Sequence, residues 1–221
     1  MIKEILGYKF TNVKLLEEAL SHPSICVKAS SSSINYERLE FLGDVVLSLV
    51  ISELLLSKYP NEDEGSLAKR RSALVSGEVI SEIAQKIDLG DKILMTEAEE
   101  RLGGRENNNN LENVLEAIIG SIYLDSGLDN IKNIIINLWQ DYIDDMIEVP
   151  IDPKSKLQEI LQKHGKHLPK YELLEAYGPK HMLTFKISLK ADGFEGVIGE
   201  GKSKQQAEKK AAMLLLDKIK Y

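Results

Sequence analysis

The sequence predicts a protein of two domains, an all-α domain followed by a smaller α+β domain with the order α-β-β-β-α. Its 221 residues exceed one typical domain and are sufficient for two. Apolar residues recur at helical spacing in the first part, whereas short β-rich segments appear in the second. Between them lie Pro150 and Pro153, which cannot continue a helix. We therefore predict a first domain at 1–148, a linker at 149–153 and a second domain at 154–221.

The first domain is predicted to consist of helices. Residues 11–20 place four apolar side chains on one helical stripe, which ends before His22-Pro23. From Tyr36 to Lys58 apolar residues are so dense that we predict a long, mostly buried helix. Residues 91–110 are polar and rich in glycine and asparagine, so we predict a loop there. Further helices are predicted at 65–75, 78–87, 111–124 and 129–147.

The second domain combines two helices with three strands. An amphipathic helix is predicted at 154–164, and a helix rich in alanine, leucine and lysine at 204–219. Between them, Gly178-Pro179 and Asp192-Gly193 mark turns that separate short β-rich segments. These segments are 171–177, 184–189 and 196–200.

The charge of the chain is divided unevenly between its two parts. Residues 1–149 carry 14 Lys and Arg against 26 Asp and Glu, a net charge of −12, whereas residues 150–221 carry 14 against 9, a net charge of +5. A basic module suits a polyphosphate partner, because Lys and Arg that neutralise phosphates release counterions. The acidic part is either a solvated surface or a place where carboxylates collect metal ions. This asymmetry predicts two domains with different partners.

Composition also excludes several classes of protein. There is no uninterrupted apolar segment of roughly 18 residues that could span a bilayer, and no secretory leader pattern. The single cysteine, Cys26, cannot form an internal disulfide and argues against a cysteine zinc site. We therefore expect a cytoplasmic protein with no membrane partner and no small-molecule cofactor.

Three acids share one face of the long predicted helix. Glu37, Glu40 and Asp44 are spaced i, i+3 and i+7. Acids aligned in an otherwise apolar helix repel one another and lose hydration unless cations compensate them. Oxygen-only ligands suit Mg²⁺ or Mn²⁺. The alternative is a solvated acidic stripe with Arg38 as a local partner.

The string ERLEFLGD, at positions 37–44, resembles the signature of the ribonuclease III family at eight contiguous positions. The resemblance implies that Glu40 binds metal and Asp44 is catalytic, with Glu37 and Glu64 supporting the cleft. It covers nearly all of residues 1–150, and continues through His22-Pro23-Ser24, Asp63-Glu64-Gly65 to Val75, Gly103-Gly104-Arg105 and Leu115 to Asp125.

The family places two more acids, three residues apart, on a later helix. Glu116 matches the second, which the resemblance implies is both a metal ligand and catalytic. The first position is Asn113, whose side-chain oxygen can ligate a cation but carries no negative charge. Glu112 lies only about 40° from Glu116 around the helix. It could substitute, although the family register does not place it there.

The resemblance implies Mg²⁺-dependent hydrolysis of double-stranded RNA, with Mn²⁺ able to substitute, in the processing of ribosomal RNA precursors and other structured transcripts. The products would carry 5′-phosphate and 3′-hydroxyl ends with short 3′ overhangs. In the family two catalytic domains pair, which implies a homodimer. Phe41 resembles the aromatic knob that inserts into the partner domain. From the helix pattern alone, an internal core position is the more usual interpretation of such a phenylalanine.

The second domain resembles a double-stranded-RNA-binding domain. Matching stretches begin at Pro153, Gly178 and Gly199, in the family's order. The implied RNA contacts are Gln158, Glu159, His181, Lys202, Ser203 and Lys204. Two positions that are often basic in the family are Gln205 and Glu208 here.

Three hypotheses follow. The chain is an active endoribonuclease, a non-cleaving RNA-binding protein in which Asn113 has disabled the metal site, or an unrelated helical metal protein joined to a basic domain. A cleavage assay with Mg²⁺ separates the first two, and the ordered motifs argue against the third.

Overall fold

The computed structural model describes residues 3–25, 35–150, 152–178 and 183–219. It divides the chain into two compact units, Met1–Pro150 and Ile151–Tyr221. The first is built almost entirely from helices and the second combines a sheet with helices, so the predicted fold class is confirmed. Within the described ranges, no helix is both long enough and apolar enough to cross a membrane.

The first unit begins with a small hairpin that the sequence did not predict. Its strands, β1 Glu4–Ile5 and β2 Tyr8–Lys9, pair antiparallel. Seven α-helices follow among the described residues of this unit. They are α1 Val13–Leu20, α2 Glu37–Lys58, α3 Glu64–Leu74, α4 Gly77–Lys86, α5 Glu97–Arg101, α6 Asn108–Ser126 and α7 Leu128–Asp145.

Helices α2 and α6 form the centre of the first unit. Leu47, Val50 and Ile51 of α2 have no exposed surface. On α6 every residue from Val114 to Ile122 is buried, as expected of a helix surrounded by others. Glu116 lies inside this run. Burial removes water from the Glu116 carboxylate, which is energetically unfavourable. The position of Glu116 therefore indicates a functional role.

The predicted loop over 91–110 is wrong in part, because helix α5 lies inside it. Thr96 caps this five-residue helix by accepting a hydrogen bond from the backbone N–H of Glu99. Arg105 fixes the segment by donating to the Glu100 carboxylate at 2.6 Å and to the carbonyl of Gly90 at 2.8 Å. Helix α6 also begins before residue 111, since Asn107 caps it. Side-chain hydrogen bonds therefore order a segment whose composition is typical of a loop.

A buried arginine joins α3 to the end of α7. Arg70 is 2% exposed and donates two hydrogen bonds to the Glu62 carboxylate, at 2.8 and 2.7 Å. It also donates to the carbonyl oxygen of Met146 at 2.7 Å, and its guanidinium stacks 3.8 Å from the ring centroid of Tyr59. The Arg70 side chain thus forms an ion pair with Glu62, a hydrogen bond with the Met146 carbonyl group and a cation–π contact with Tyr59.

We expect Arg70→Ala to lower the free energy of unfolding of the first unit by about 1–3 kcal/mol, because it empties a buried site and leaves the carbonyl oxygen of Met146 without its donor. Urea unfolding followed by Trp139 fluorescence measures this, since Trp139 is the only tryptophan and is buried in that unit. Arg71→Ala, an exposed neighbour, is the matched control and should change stability by about 0.5 kcal/mol or less. Equal losses in the two variants would contradict the interpretation.

The second unit has the predicted α-β-β-β-α order. Strands β3 Lys170–Tyr177, β4 Thr184–Ala191 and β5 Phe194–Gly201 form an antiparallel sheet in the order β3-β4-β5. Helices α8 Pro153–Lys163 and α9 Lys204–Ile219 flank it in sequence. The buried core of this unit comes from both helices and two strands, and consists of Leu157, Leu161, Leu189, Val197, Ala211, Ala212 and Leu215.

Candidate active site and RNA interface

Two glycines let the backbones of α2 and α6 approach each other closely. A Cβ atom on Gly43 would overlap the carbonyl oxygen of Glu116, and one on Gly120 would overlap that of Leu39. Neither position has room for a side chain, so both glycines are required for this crossing. The crossing places the acids of α2 opposite Glu116.

Four carboxylates meet at this crossing, those of Glu40 and Asp44 on α2 and of Glu112 and Glu116 on α6. Burial first, and then the charges of Asp44, Glu112 and Glu40, raise the pKa of Glu116 to about 8. Burial likewise raises the pKa of Glu40, with contributions from Glu37, Glu112 and Asp44. The pKa of Glu112 is raised by burial and then by Asp44. The negative charges at the crossing therefore disfavour the ionised forms of Glu40, Glu112 and Glu116.

Glu116 is 8% exposed, and no described residue forms a hydrogen bond with its carboxylate. Asp44 is exposed, and Glu40 and Glu112 are half-buried. In their present rotamers, no three Asp, Glu, His or Cys side chains of the described chain are placed to ligate one ion. The donor set nevertheless fits a hard dication, because it is all oxygen, negatively charged and destabilised without a counter-charge.

The two predicted supporting acids lie at the start of helices. Glu37 opens α2, is exposed, and accepts a hydrogen bond from the Asn35 side chain at 3.0 Å. Glu64 opens α3 directly after its cap, Asp63. The charge of Glu37 helps to raise the pKa of Glu40. Glu64 is not among the groups that shift the pKa of Glu40, Glu112 or Glu116.

Asn113 is half-buried and lies beside the Tyr36 hydroxyl. Burial raises the pKa of Tyr36, while a hydrogen bond from the Asn113 side chain lowers it. The sequence predicts Asn113 as the ligand and leaves Glu112 as an alternative. Tyr36 is a further neighbour of Asn113 and Glu40 that no sequence motif indicates.

Phe41 lies on the surface of α2, 77% exposed, and is therefore not a core residue of this chain. It begins an exposed apolar stripe that continues through Val45, Leu49 and Leu56. At the Leu56 end of α2, a cavity of 290 Å³ opens between α2 and α3. It is lined by Ser52, Leu55, Leu56, Glu64, Leu67, Ala68 and Arg71.

The predicted RNA contacts of the second unit are on its surface where they are described. Gln158 and Glu159 are exposed on α8. Lys202, Ser203 and Lys204 are exposed at the start of α9, where the Ser203 hydroxyl accepts a hydrogen bond from the backbone N–H of Gln206. His181 lies outside the described residues.

Gln205 and Glu208, which occupy positions that are often basic in double-stranded-RNA-binding domains, differ in their contacts. Glu208 forms an ion pair with Lys154 at 2.5 Å, which joins α9 to α8. Gln205 is exposed. Among the described residues, Lys202 and Lys204 have no carboxylate partner. Their charges are therefore available to phosphates.

Comparison with known proteins gives matches to both units. A Ribonuclease-III-like family model matches residues 12–142, and a double-stranded RNA binding motif model matches residues 153–219. A curated protein named Ribonuclease 3 from Wolbachia pipientis (subsp. Culex pipiens, strain wPip) is 46% identical, over 99% of this chain and 96% of that protein. Ribonuclease 3 from Ehrlichia ruminantium (strain Welgevonden) is also 46% identical, over 100% and 96%.

Solved structures agree for the first unit. The nuclease domain of ribonuclease III from Campylobacter jejuni is 45% identical, with a TM-score of 0.58, over 62% of this chain and 92% of that one. The matches thus cover both units, in the order that the sequence predicted. The chain belongs to the ribonuclease III family, whose double-stranded-RNA-binding domain accompanies an endoribonuclease domain that cuts double-stranded RNA.

Proposed function

We propose that this chain is a homodimeric endoribonuclease whose hydrolysis of double-stranded RNA depends on Mg²⁺ held by the carboxylates at the α2–α6 crossing. The observation that carries the proposal is Glu116, a buried acid whose pKa is raised to about 8 beside Glu40 and Asp44. A protein retains such a group at a cost in stability, and a dication would offset that cost.

Glu40 and Glu116 would hold the ion, with Asp44 at the exposed edge of the cluster oriented toward water and substrate. A bound Mg²⁺ would lower the pKa of a ligated water and neutralise charge on the phosphate. Asp44 would accept a hydrogen bond from the attacking water. As the water oxygen bonds to phosphorus, the bond to the 3′ oxygen breaks, and that oxygen takes up a proton. The products are 5′-phosphate and 3′-hydroxyl ends, with short 3′ overhangs when both strands are cut.

Asn113 is the position at which the family register expects another ligand, and its role as a metal ligand is a prediction. Glu37 and Glu64 are proposed to support substrate near the cleft, since both are acids at helix starts. Mn²⁺ should replace Mg²⁺, because it accepts the same oxygen ligands.

The function is tested by incubating the full chain with a plain RNA duplex of several helical turns. We expect endonucleolytic fragments with Mg²⁺ or Mn²⁺ and none with EDTA, and fragment ends that accept ligation as 5′-phosphates. Binding without cleavage across a wide range of metal concentrations would favour the alternative, a non-cleaving RNA-binding protein.

The exposed stripe on α2 supports a homodimer. From Phe41 to Leu56 it extends about 22 Å, at 1.5 Å per residue. In an isologous two-fold interface with antiparallel α2 helices, the Phe41 end of one protomer meets the Leu56 end of its partner. The volume of the cavity at that end, 290 Å³, is close to that of small ligand pockets and is large enough for a phenyl ring. The Campylobacter structure concerns a region involved in dimer formation of that nuclease domain.

We expect Phe41→Ala to weaken dimerisation by about a hundredfold in Kd, because a large aromatic anchor leaves its pocket. Sedimentation over a range of protein concentrations measures the shift. Leu102→Ala is the matched control, since Leu102 is 80% exposed in the same unit but lies outside the stripe. A parent protein that is monomeric at micromolar concentration would contradict the proposal.

The second unit is proposed to position the duplex through Gln158, Glu159 and His181 and through Lys202, Ser203 and Lys204. Such domains recognise A-form shape, 2′-hydroxyls and phosphates rather than base sequence. The start of α9 also offers backbone N–H groups and the positive end of the helix dipole to phosphate. Structured precursors of ribosomal RNA in the cytoplasm, and similar stems in messenger and transfer RNA precursors, are the proposed substrates.

Binding of duplex RNA should weaken steeply with salt, and Lys202→Ala should weaken it for every sequence and reduce the salt slope by about one. Fluorescence anisotropy in EDTA measures affinity without cleavage. Lys163→Ala, an exposed lysine at the end of α8, is the control. Duplex DNA bound as tightly as duplex RNA would refute recognition of A-form geometry.

A further inference from the structure

We propose that Arg70 and Tyr59 hold residues 146–148 on the first unit and so shorten the connection to the RNA-binding unit. We call this pair of side chains the carbonyl clasp, because both donate hydrogen bonds to backbone carbonyl groups. The contacts of the clasp lie within the first unit, and only its effect on cleavage rests on the proposed function.

Three consecutive carbonyl groups beyond the end of α7 accept hydrogen bonds from the carbonyl clasp. The Arg70 guanidinium donates to the carbonyl oxygen of Met146 at 2.7 Å and to that of Glu148 at 3.3 Å. It also donates to the carbonyl oxygen of Ile147 at 3.4 Å. The Tyr59 hydroxyl donates to the Met146 carbonyl oxygen at 2.9 Å. The two donors thus fix the backbone of this segment to α3 and to the end of α2.

The side chains of the same segment contribute less to its position. Met146 packs partly against the apolar core. Ile147, however, is 83% exposed, and Glu148 is exposed as well. Burial of apolar surface therefore does not hold residues 147 and 148, and their backbone contacts with Arg70 do.

The carbonyl clasp also explains why an arginine is buried at position 70. Two hydrogen bonds to the Glu62 carboxylate and the ring of Tyr59 fix its guanidinium. Well-packed hydrophobic residues in place of a buried ion pair are often as stable or more so, so stability alone does not account for the arginine. A hydrophobic side chain could not donate to the three carbonyl groups.

The carbonyl clasp changes where the connection between the two units begins. Helix α7 ends at Asp145, and Asp152 caps α8, so a connection that began at the end of α7 would have seven peptide steps and span at most about 24 Å. A connection that begins after the held residue Glu148 has four steps and spans at most about 14 Å. The effective concentration of one unit at a ligand held by the other falls roughly as the −3/2 power of this length. Release of the clasp should therefore lower it about twofold for the catalytic unit at bound duplex RNA.

Limited proteolysis of the full chain by a glutamate-specific endoprotease, without RNA or metal, tests the clasp directly. The peptide bond after Glu148 carries one of the held carbonyl groups. Tyr59→Phe removes one donor and keeps the ring, so we expect cleavage after Glu148 to be about fivefold faster, the effect of one hydrogen bond on the population of the released segment. Arg70→Met removes the other donor and should accelerate this cleavage further. Mass spectrometry of fragments 1–148 and 149–221 measures the rate.

Tyr8→Phe is the matched control for loss of a phenolic hydroxyl. Tyr8 is half-buried like Tyr59, but its hydroxyl donates to Asp125 at 2.7 Å. This variant should be cut after Glu148 at the rate of the parent.

A general loss of stability is distinguished by a second site in the same digest. Glu53 lies within α2, so cleavage after it requires unfolding of that helix. We expect Tyr59→Phe to accelerate cleavage after Glu148 alone. Equal acceleration at both glutamates in this variant, or no acceleration at either, overturns the clasp.

RNA cleavage tests the consequence of the shorter connection. With Mg²⁺ and one RNA duplex, Tyr59→Phe and Arg70→Met should raise KM about twofold and leave kcat unchanged, because both residues lie far along the first unit from the acids at the start of α2. Insertion of Gly-Ser-Gly between Val149 and Pro150 lengthens the connection with the clasp intact and should raise KM by the same factor.

The insertion also decides how a negative result is interpreted. A KM that rises with the insertion but not in the two clasp variants, or that does not rise in any of the three proteins, overturns the role of the clasp in cleavage. A parent protein that cuts no RNA would refute the proposed function instead. The proteolysis result does not depend on RNA cleavage, so the two failures are distinguishable.

Discussion

Glu116→Gln will abolish RNA cleavage while leaving duplex binding intact. Glu116 is the most buried acid at the α2–α6 crossing, and glutamine keeps its shape while removing the charge that would hold the metal ion. Without that charge the proposed site would not hold the ion that is to activate water and stabilise the transition state, so we expect a decrease in rate on the order of 10³-fold or more. The RNA-binding surface lies in the other unit and does not use this carboxylate.

Single-turnover cleavage of one RNA duplex, with saturating enzyme and a range of Mg²⁺ concentrations, measures the loss. Anisotropy with the same duplex in EDTA should give a Kd within about twofold of the parent, because the contacts to phosphate are unchanged. Glu82→Gln on α4 is the matched control for loss of one acid, because Glu82 is exposed and pairs with Lys86. Cleavage by Glu116→Gln at a rate near that of the parent would show that the chemistry lies elsewhere.

Most of the fold was predictable because its elements carry strong periodic signals. The apolar positions of α2 and the stop at Tyr59-Pro60 gave that helix to within one residue at its start. Helix α5 could not be predicted, because four charged residues and one alanine have no apolar period. Its order depends on Thr96 and Arg105, whose hydrogen bonds are visible only in three dimensions.

The acids of α2 were predictable from their spacing, and Glu116 from the family resemblance. The choice between Glu112 and Asn113 was not, because both lie near Glu116 on a helical projection. The Glu112 carboxylate lies against Gly77, which comes from a different helix, and no spacing within α6 reveals that contact. The close contact of Gly43 with Glu116 was also not predictable, because a glycine within a helix does not show which residue of another helix lies against it.

In EDTA, the first unit will become less stable as the pH rises from about 5 to about 8. The pKa of Glu116 is about 8 in the folded protein, raised first by burial and then by Asp44, Glu112 and Glu40, against 4.5 ordinarily. Between these values the folded state holds a proton that the unfolded state releases, so the stability present below pH 4.5 is lost as the pH rises through 8. We expect a loss on the order of a few kcal/mol.

Trp139 fluorescence during urea unfolding at pH 5.5 and pH 8 measures this loss for the first unit alone. Glu116→Gln should be more stable than the parent at pH 8 and should show a much weaker pH dependence, because its side chain cannot ionise. Mn²⁺ should reverse the trend in the parent, since the ion binds the deprotonated carboxylates that form at high pH. A parent protein equally stable at both pH values in EDTA would show that Glu116 ionises in the folded state without cost, and the buried acid would then no longer argue for a metal ion.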